Sequence, residues 1–187
     1  NICRSFISNQ PNSAWTPNVL FWLAEQAYNT QNYADSESLF LQIYGDNPNH
    51  RLSEQALFRA GKSAMYQSEF TKAIEHFSLL VRTFPDTTSI PEARFCQGDA
   101  LAELGEYSRA ILAFEEVLKR YPQHELANSA LGRIGDCQFS LAGEQPSRYK
   151  EALTTYQTLL GRTVISDELK IQCMYKAGQC ESKMENP

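Results

Sequence analysis

Apolar residues in this chain recur at spacings of three and four, as at Ala73, Ile74, Phe77, Leu80 and Val81. That is the pattern of a helix with one buried stripe. The apolar stretches run about fourteen residues each and come in pairs. The first of each pair starts near Pro17, Glu54 or Pro91 and breaks at Asn32, Ser68–Glu69 or Gly105–Glu106. Proline suits a helix start, where its missing N–H would have no partner anyway. The second starts near Ala34, Thr71 or Ser108 and stops at Asn47–Pro48, Phe84–Pro85 or Tyr121–Pro122, because proline cannot continue a helix.

The pairs repeat. Pro11, Pro48, Pro85 and Pro122 are each 37 residues apart. The same step carries Ala24 to Gly61, Gly98 and Gly135, Phe40 to Phe77 and Phe114, Ser36 to Ala73 and Ala110, and Tyr33 to Phe70 and Tyr107. A fixed period in so many registers marks a repeat architecture. One helical hairpin cannot bury both of its faces alone, so neighbours must stack. Gly61 and Ala73 fall where the helices of a hairpin cross closely, and Phe77 is expected to be buried as a wedge towards the next hairpin.

Leu57, Ala60–Gly61, Ala64, Ala73, Phe77, Leu80 and Pro85, together with the run Leu104-Gly105-Glu106-Tyr107-Ser108-Arg109-Ala110-Ile111-Leu112-Ala113-Phe114, resemble the tetratricopeptide repeat. The resemblance implies an all-α, right-handed superhelical solenoid of helical hairpins that binds protein segments and is not an enzyme. The step of 37 leaves a longer turn after the proline, as in Pro85-Asp86-Thr87-Thr88-Ser89-Ile90-Pro91. With an aromatic–proline pair before it and an alanine-rich helix after it, this turn resembles a bacterial cell-envelope subgroup of the family. That subgroup includes the periplasmic coordinator of the Tol-Pal system and the lipoprotein of the outer-membrane barrel-assembly machine. The segment Pro11-Asn12-Ser13-Ala14-Trp15-Thr16-Pro17-Asn18-Val19-Leu20-Phe21-Trp22-Leu23-Ala24-Glu25 is similar to the "YPxSxxAPNAxYWLGE" stretch of the coordinator. The resemblance implies a periplasmic or envelope-associated location; the residues themselves leave a cytoplasmic one open.

The expected organisation is one array over 1–187. Residues 1–11 end a preceding repeat, 17–48, 54–85, 91–122 and 126–164 are full repeats, and 167–184 is the first helix of a truncated one. The repeat from Leu126 departs from the pattern. It carries five extra residues around Gly143-Glu144-Gln145-Pro146-Ser147, and Gly161, a good cap residue, replaces its closing proline. With half-repeats at both ends, the chain reads as a fragment of a longer array. Ile171, Met174, Tyr175 and Gly178 share a face that a second helix would cover, so end-to-end self-association of the fragment is expected.

The formal net charge is −5, with acidic and basic residues interspersed. No basic stripe is available to neutralise phosphates, which argues against nucleic acid as a partner. No apolar run approaches the roughly eighteen residues of a membrane span. The five cysteines, Cys3, Cys96, Cys137, Cys173 and Cys180, form no CxxC. Cys173 and Cys180 stand roughly 10 Å apart along one helix, beyond disulfide reach; most cysteines fall at core positions. His50 and His124 lie in turns and His76 on a second helix, all expected to be exposed or at a rim, in no metal-ligand spacing. No catalytic or nucleotide-binding motif is present, so no cofactor and no metal are expected.

In this architecture the first helices line the concave surface, where family members hold extended or helical segments. By register that face takes Phe21, Trp22, Glu25 and Tyr28 from the first full repeat and Phe58, Arg59, Lys62 and Tyr66 from the second. The third adds Phe95, Asp99 and Glu103, and the fourth Arg133, Asp136 and Phe139. Aromatic and cationic anchors suit a protein or peptide partner. Two roles are open to Phe21, Phe58 and Phe95, packing within the repeat or contact with a partner; Arg59 and Arg133 are equally open to plain solvation. Some family members clamp a C-terminal carboxylate with lysine and asparagine at positions that here hold Phe21, Glu25, Arg59, Glu92 and Cys96, which make no such clamp. The expected function is a protein-interaction scaffold; the alternative is a structural spacer or oligomerisation segment of a larger repeat protein.

Overall fold

The computed structural model describes residues 2–185. It contains α1 (Ile2–Asn9), α2 (Thr16–Asn29), α3 (Tyr33–Asp46), α4 (Ser53–Tyr66), α5 (Phe70–Thr83), α6 (Ile90–Glu103), α7 (Tyr107–Arg120), α8 (Leu126–Ala142), α9 (Arg148–Leu160) and α10 (Asp167–Glu185). No strand occurs among the described residues. The chain divides into two compact units, Asn1–Ala93 and Arg94–Pro187, with the boundary inside α6.

In the first unit α2 packs on α3, α3 on α4 and α4 on α5. Leu20, Ala24, Phe40, Ile43, Ala56 and Ala60 form one buried cluster there. In the second unit α7 packs on α8, α8 on α9 and α9 on α10, around Leu131, Ala152, Tyr156, Leu159, Cys173, Ala177 and Cys180.

The turn inside a hairpin is made by one residue in the left-handed conformation: Gln31 (φ 61°), Ser68 (φ 60°) and Gly105 (φ 75°), again 37 apart. Its N–H bonds a carbonyl three residues back (Tyr28, Met65, Ala102), and the next residue's N–H bonds one five back (Ala27, Ala64, Leu101). This is a Schellman closure that satisfies the last carbonyls of α2, α4 and α6.

The turn between hairpins has its own repeating clasp. The side chains of Ser13, His50, Thr87 and His124, one per period, accept from the backbone N–H two residues on, at 3.3, 3.2, 3.1 and 3.3 Å. His50 and His124 are therefore turn-forming residues, each accepting through Nδ1. The hydroxyls of Thr16 and Ser53 donate to the carbonyls of Gln10 and Asn47, both at 2.7 Å. Farther on, Ser89 donates to Glu54 at 2.9 Å, and so does Thr87, tying the turn after α5 to the start of α4.

Glycine and aromatic ring are matched within hairpins. A Cβ on Gly61 would lie 2.6 Å from the Phe77 ring, one on Gly98 2.7 Å from Phe114, and one on Gly135 2.6 Å from Tyr156. The glycine is thus occupied by the ring of its own second helix. Phe77 is fully buried, and it is seated inside its hairpin on Gly61, where the sequence pattern suggested a wedge towards the neighbour.

Candidate functional site

In the first unit the end of α2, the start of α3 and the end of α4 bring three tyrosines together. Tyr33 and Tyr66 stack with centroids 4.9 Å apart, and Tyr28 meets them edge-on at 5.4 and 5.6 Å. Arg59 lies over Tyr28 at 5.4 Å and Lys62 over Tyr66 at 5.7 Å, both within cation–π range. Arg59 Nε also approaches Glu25 Oε1 at 3.1 Å. The two are misaligned for a hydrogen bond, so this contact is an ion pair only. Burial first, and then the neighbouring Tyr66 hydroxyl, pushes the Tyr28 phenol above its ordinary range. Trp22 and Tyr66 remain about half exposed, at 53% and 55%.

The second unit carries a charged network across α6, α8 and α10. Arg133 Nε donates to Asp99 at 2.8 Å, and Arg133 Nη1 lies 3.6 Å from Asp136. Asp136 also accepts from the Tyr156 hydroxyl at 2.8 Å and from Lys176. Burial by itself would lower the Arg133 pKa, yet Asp99 and then Asp136 hold it above the ordinary value. Burial leads the upward shift of the Tyr156 phenol, with Asp136 adding to it. Cys137, beside this network, is pushed up to about 11, chiefly by burial.

These pairs share a register. Glu25–Arg59 and Asp99–Arg133 stand 74 residues apart, two periods. On α10 Cys173, Ala177 and Cys180 bury the face that Ala130, Ile134 and Cys137 bury on α8, which puts Lys176 in the place of Arg133. In each pair an acid on one first helix holds a base on the next.

The expected site residues fall into three kinds. Phe21, Phe58, Phe95 and Phe139 each pack against a second-helix ring, Phe40, Phe77, Phe114 and Tyr149, at 5.3, 5.8, 5.3 and 5.2 Å. Glu25, Arg59, Asp99, Arg133 and Asp136 are engaged with one another or with Lys176. Tyr28, Lys62 and Tyr66 make up the aromatic–cationic cluster of the first unit, and Trp22 is half exposed on α2. Sequence reasoning missed Tyr33, Tyr156 and Lys176, although Tyr33 stands in one of the registers of the period. His76, expected exposed or at a rim, is tucked against buried Glu37 at 2.9 Å; Gln67 donates to the other oxygen of Glu37 at 2.7 Å.

Among the described residues no three His, Cys, Asp or Glu side chains are placed to hold a metal ion. No described helix is long and apolar enough to cross a membrane. No curated protein matches the chain. In solved structures the fold is similar to MamA, with a TM-score of 0.73 and 18% identity over 92% of this chain and 85% of that one. It is also similar to a tetratricopeptide repeat protein from Parabacteroides merdae ATCC 43184, with a TM-score of 0.71 and 14% identity over 90% of this chain and 61% of that one. A third is YrrB, a TPR protein with an unusual peptide-binding site, with a TM-score of 0.67 and 16% identity over 100% of this chain and 85% of that one. A family model for the tetratricopeptide repeat matches residues 58–125 and 95–163, more than half of the chain. With its period, its hairpins and this match, the chain belongs to the tetratricopeptide repeat family.

Proposed function

We propose that this chain is a protein-interaction scaffold that holds a segment of another protein against its first helices. The observation that carries the reading is the surface of the first unit, where half-exposed Tyr66 stacks on Tyr33, Arg59 and Lys62 lie over tyrosine rings, and Trp22 on α2 is half exposed. Large rings with little rotamer freedom and cations held over them suit the anchoring of a peptide. The peptide-binding site of YrrB, a relative in fold, favours the same use. The likeness of residues 11–25 to the Tol-Pal coordinator supports a bacterial envelope setting for the partner.

The test is recovery of partners by the intact protein and by a Trp22→Ser, Lys62→Glu double variant. Arg59 is left alone because reversing it would set two carboxylates face to face at Glu25. Both chosen side chains stand outside the ion pairs described, so the variant should keep its helicity and lose the partner. Full recovery of every partner by a folded variant would remove the reading.

A second reading, a spacer or oligomerisation segment, is favoured by the charge pairs. Glu25–Arg59, Asp99–Arg133 and Asp136–Lys176 spend the charges of the face on tying successive first helices together. Exposed Ile171, Met174 and Tyr175 on α10 would give such a segment an apolar face for self-association.

A further inference from the structure

In the second unit Ala102, Glu103, Tyr107, Arg133, Asp136 and Ser140 line a cavity of about 280 Å³. It opens where the end of α6, the start of α7 and the later turns of α8 meet. Two periods of 37 earlier, the same positions hold Tyr28, Asn29, Tyr33, Arg59, Lys62 and Tyr66. There the rings occupy the corner. Tyr66 stacks on Tyr33 with centroids 4.9 Å apart, Tyr28 meets both edge-on, and Lys62 lies over Tyr66. In the second unit Ala102 and Ser140 stand in place of Tyr28 and Tyr66, and Asp136 in place of Lys62. Tyr107, in the place of Tyr33, is half-buried, with no ring or cation over it among the described residues.

The same replacements reverse the charge. Arg133 donates to Asp99 at 2.8 Å and Lys176 donates to Asp136, so both bases are matched by an acid. Glu103 is exposed and makes no ion pair or hydrogen bond among the described residues. The cavity therefore offers one uncovered ring face and one carboxylate in excess. A guanidinium answers both at once. It is flat and weakly hydrated, it lies on aromatic faces, and its fork matches a carboxylate. A lysine ammonium is a compact, strongly hydrated charge with no plane to lay on the ring. The first unit makes this contact internally, with Arg59 over Tyr28 at 5.4 Å. The space is just below the roughly 300 Å³ at which small-molecule sites begin, and it suits one long side chain.

We propose that this cavity is an anchor pocket for one arginine side chain of a partner segment. The guanidinium lies on Tyr107 and pairs with Glu103, while Ala102 and Ser140 leave it room. The inference rests on the scaffold reading and gives that activity a specificity in the second unit, where the charge is opposite to that of the cluster around Lys62.

The probe is acetyl-Gly-Arg-Gly-amide, titrated into the isotope-labelled whole chain and followed by NMR at the Tyr107 ring and the Ser140 amide. Saturable shifts at both are expected. The citrulline peptide keeps the plane and loses the charge; the lysine peptide keeps the charge and loses the plane. Each should bind at least about tenfold more weakly. Ser140→Tyr restores the ring of the first unit from within and should abolish the shifts at unchanged helicity. Glu103→Gln changes an exposed side chain, is expected to fold normally, and should weaken binding at least about tenfold. It keeps the test decisive if the tyrosine variant does not fold. No saturable shift with the parent, equal binding of the citrulline or lysine peptide, or undiminished binding by either folded variant would each overturn the proposal. The titration needs no natural partner, so its outcome is separate from the recovery experiment on Trp22 and Lys62.

Discussion

At the scale of single residues, the left-handed turn position holds glycine once in three. Gly105 occupies it without strain, whereas Gln31 and Ser68 do so with a Cβ against the backbone, at about 1–2 kcal/mol each. Glycine gives back roughly 0.5–1 kcal/mol in chain entropy. Gln31→Gly and Ser68→Gly are each expected to raise stability by about 0.5–1 kcal/mol. Guanidinium denaturation of the two variants measures this, and a lowered midpoint in both would refute the assignment. The breaks at these turns were legible in the sequence, but the strain was not, because neither glutamine nor serine signals a left-handed residue. The clasp after each proline was hidden for a related reason. Serine, histidine, threonine and histidine fill it in turn, alike only in offering an acceptor at the same reach.

At the scale of helices, two kinds of glycine lie on the first helices, and a single methyl group tells them apart. At Gly61 the added carbon would run into a fully buried ring of α5 that has nowhere to turn, so Gly61→Ala should cost about 1–3 kcal/mol by overpacking. At Gly132 the same carbon has room, and Gly132→Ala should add up to about 1 kcal/mol of helix stability. Opposite shifts in thermal midpoint are the expected result; two shifts of the same sign would contradict the account. The period displays the glycine column plainly. It does not display the ring that each glycine receives, which lies 16 residues on in two hairpins and 21 in the third. The candidate surface was half legible for a comparable reason. Register places Glu25, Arg59, Asp99, Arg133 and Asp136 on first helices, but the same register brings acid and base of adjacent helices within reach of each other. A pattern of faces cannot distinguish a charge turned to a partner from one turned to its neighbour.

At the scale of the whole molecule, several buried groups hold their protons on the alkaline side. Burial pushes up the thiols of Cys137, Cys173 and Cys180, and with neighbouring hydroxyl or carboxylate it raises the phenols of Tyr28 and Tyr156. Each keeps its proton in the folded chain at a pH where the unfolded chain has released it. The unfolded state then binds fewer protons, so stability falls as pH rises. The contribution of Cys137 is whole below its ordinary value of 9.0 and lost through about 11. The denaturant midpoint should therefore fall between about pH 9 and pH 11; a midpoint that holds or climbs there would count against buried, protonated thiols and phenols. The ion pairs between successive first helices carry a consequence of another kind, in time. Glu25 and Arg59 are 34 residues apart, as are Asp99 and Arg133, and Asp136 and Lys176 are 40 apart. The chain entropy lost in closing loops of that size grows only slowly with length. Chains whose contacts are near in sequence reach their fold in microseconds to milliseconds. Each hairpin can therefore template the next as soon as some 40 residues have been made, well before the chain is complete.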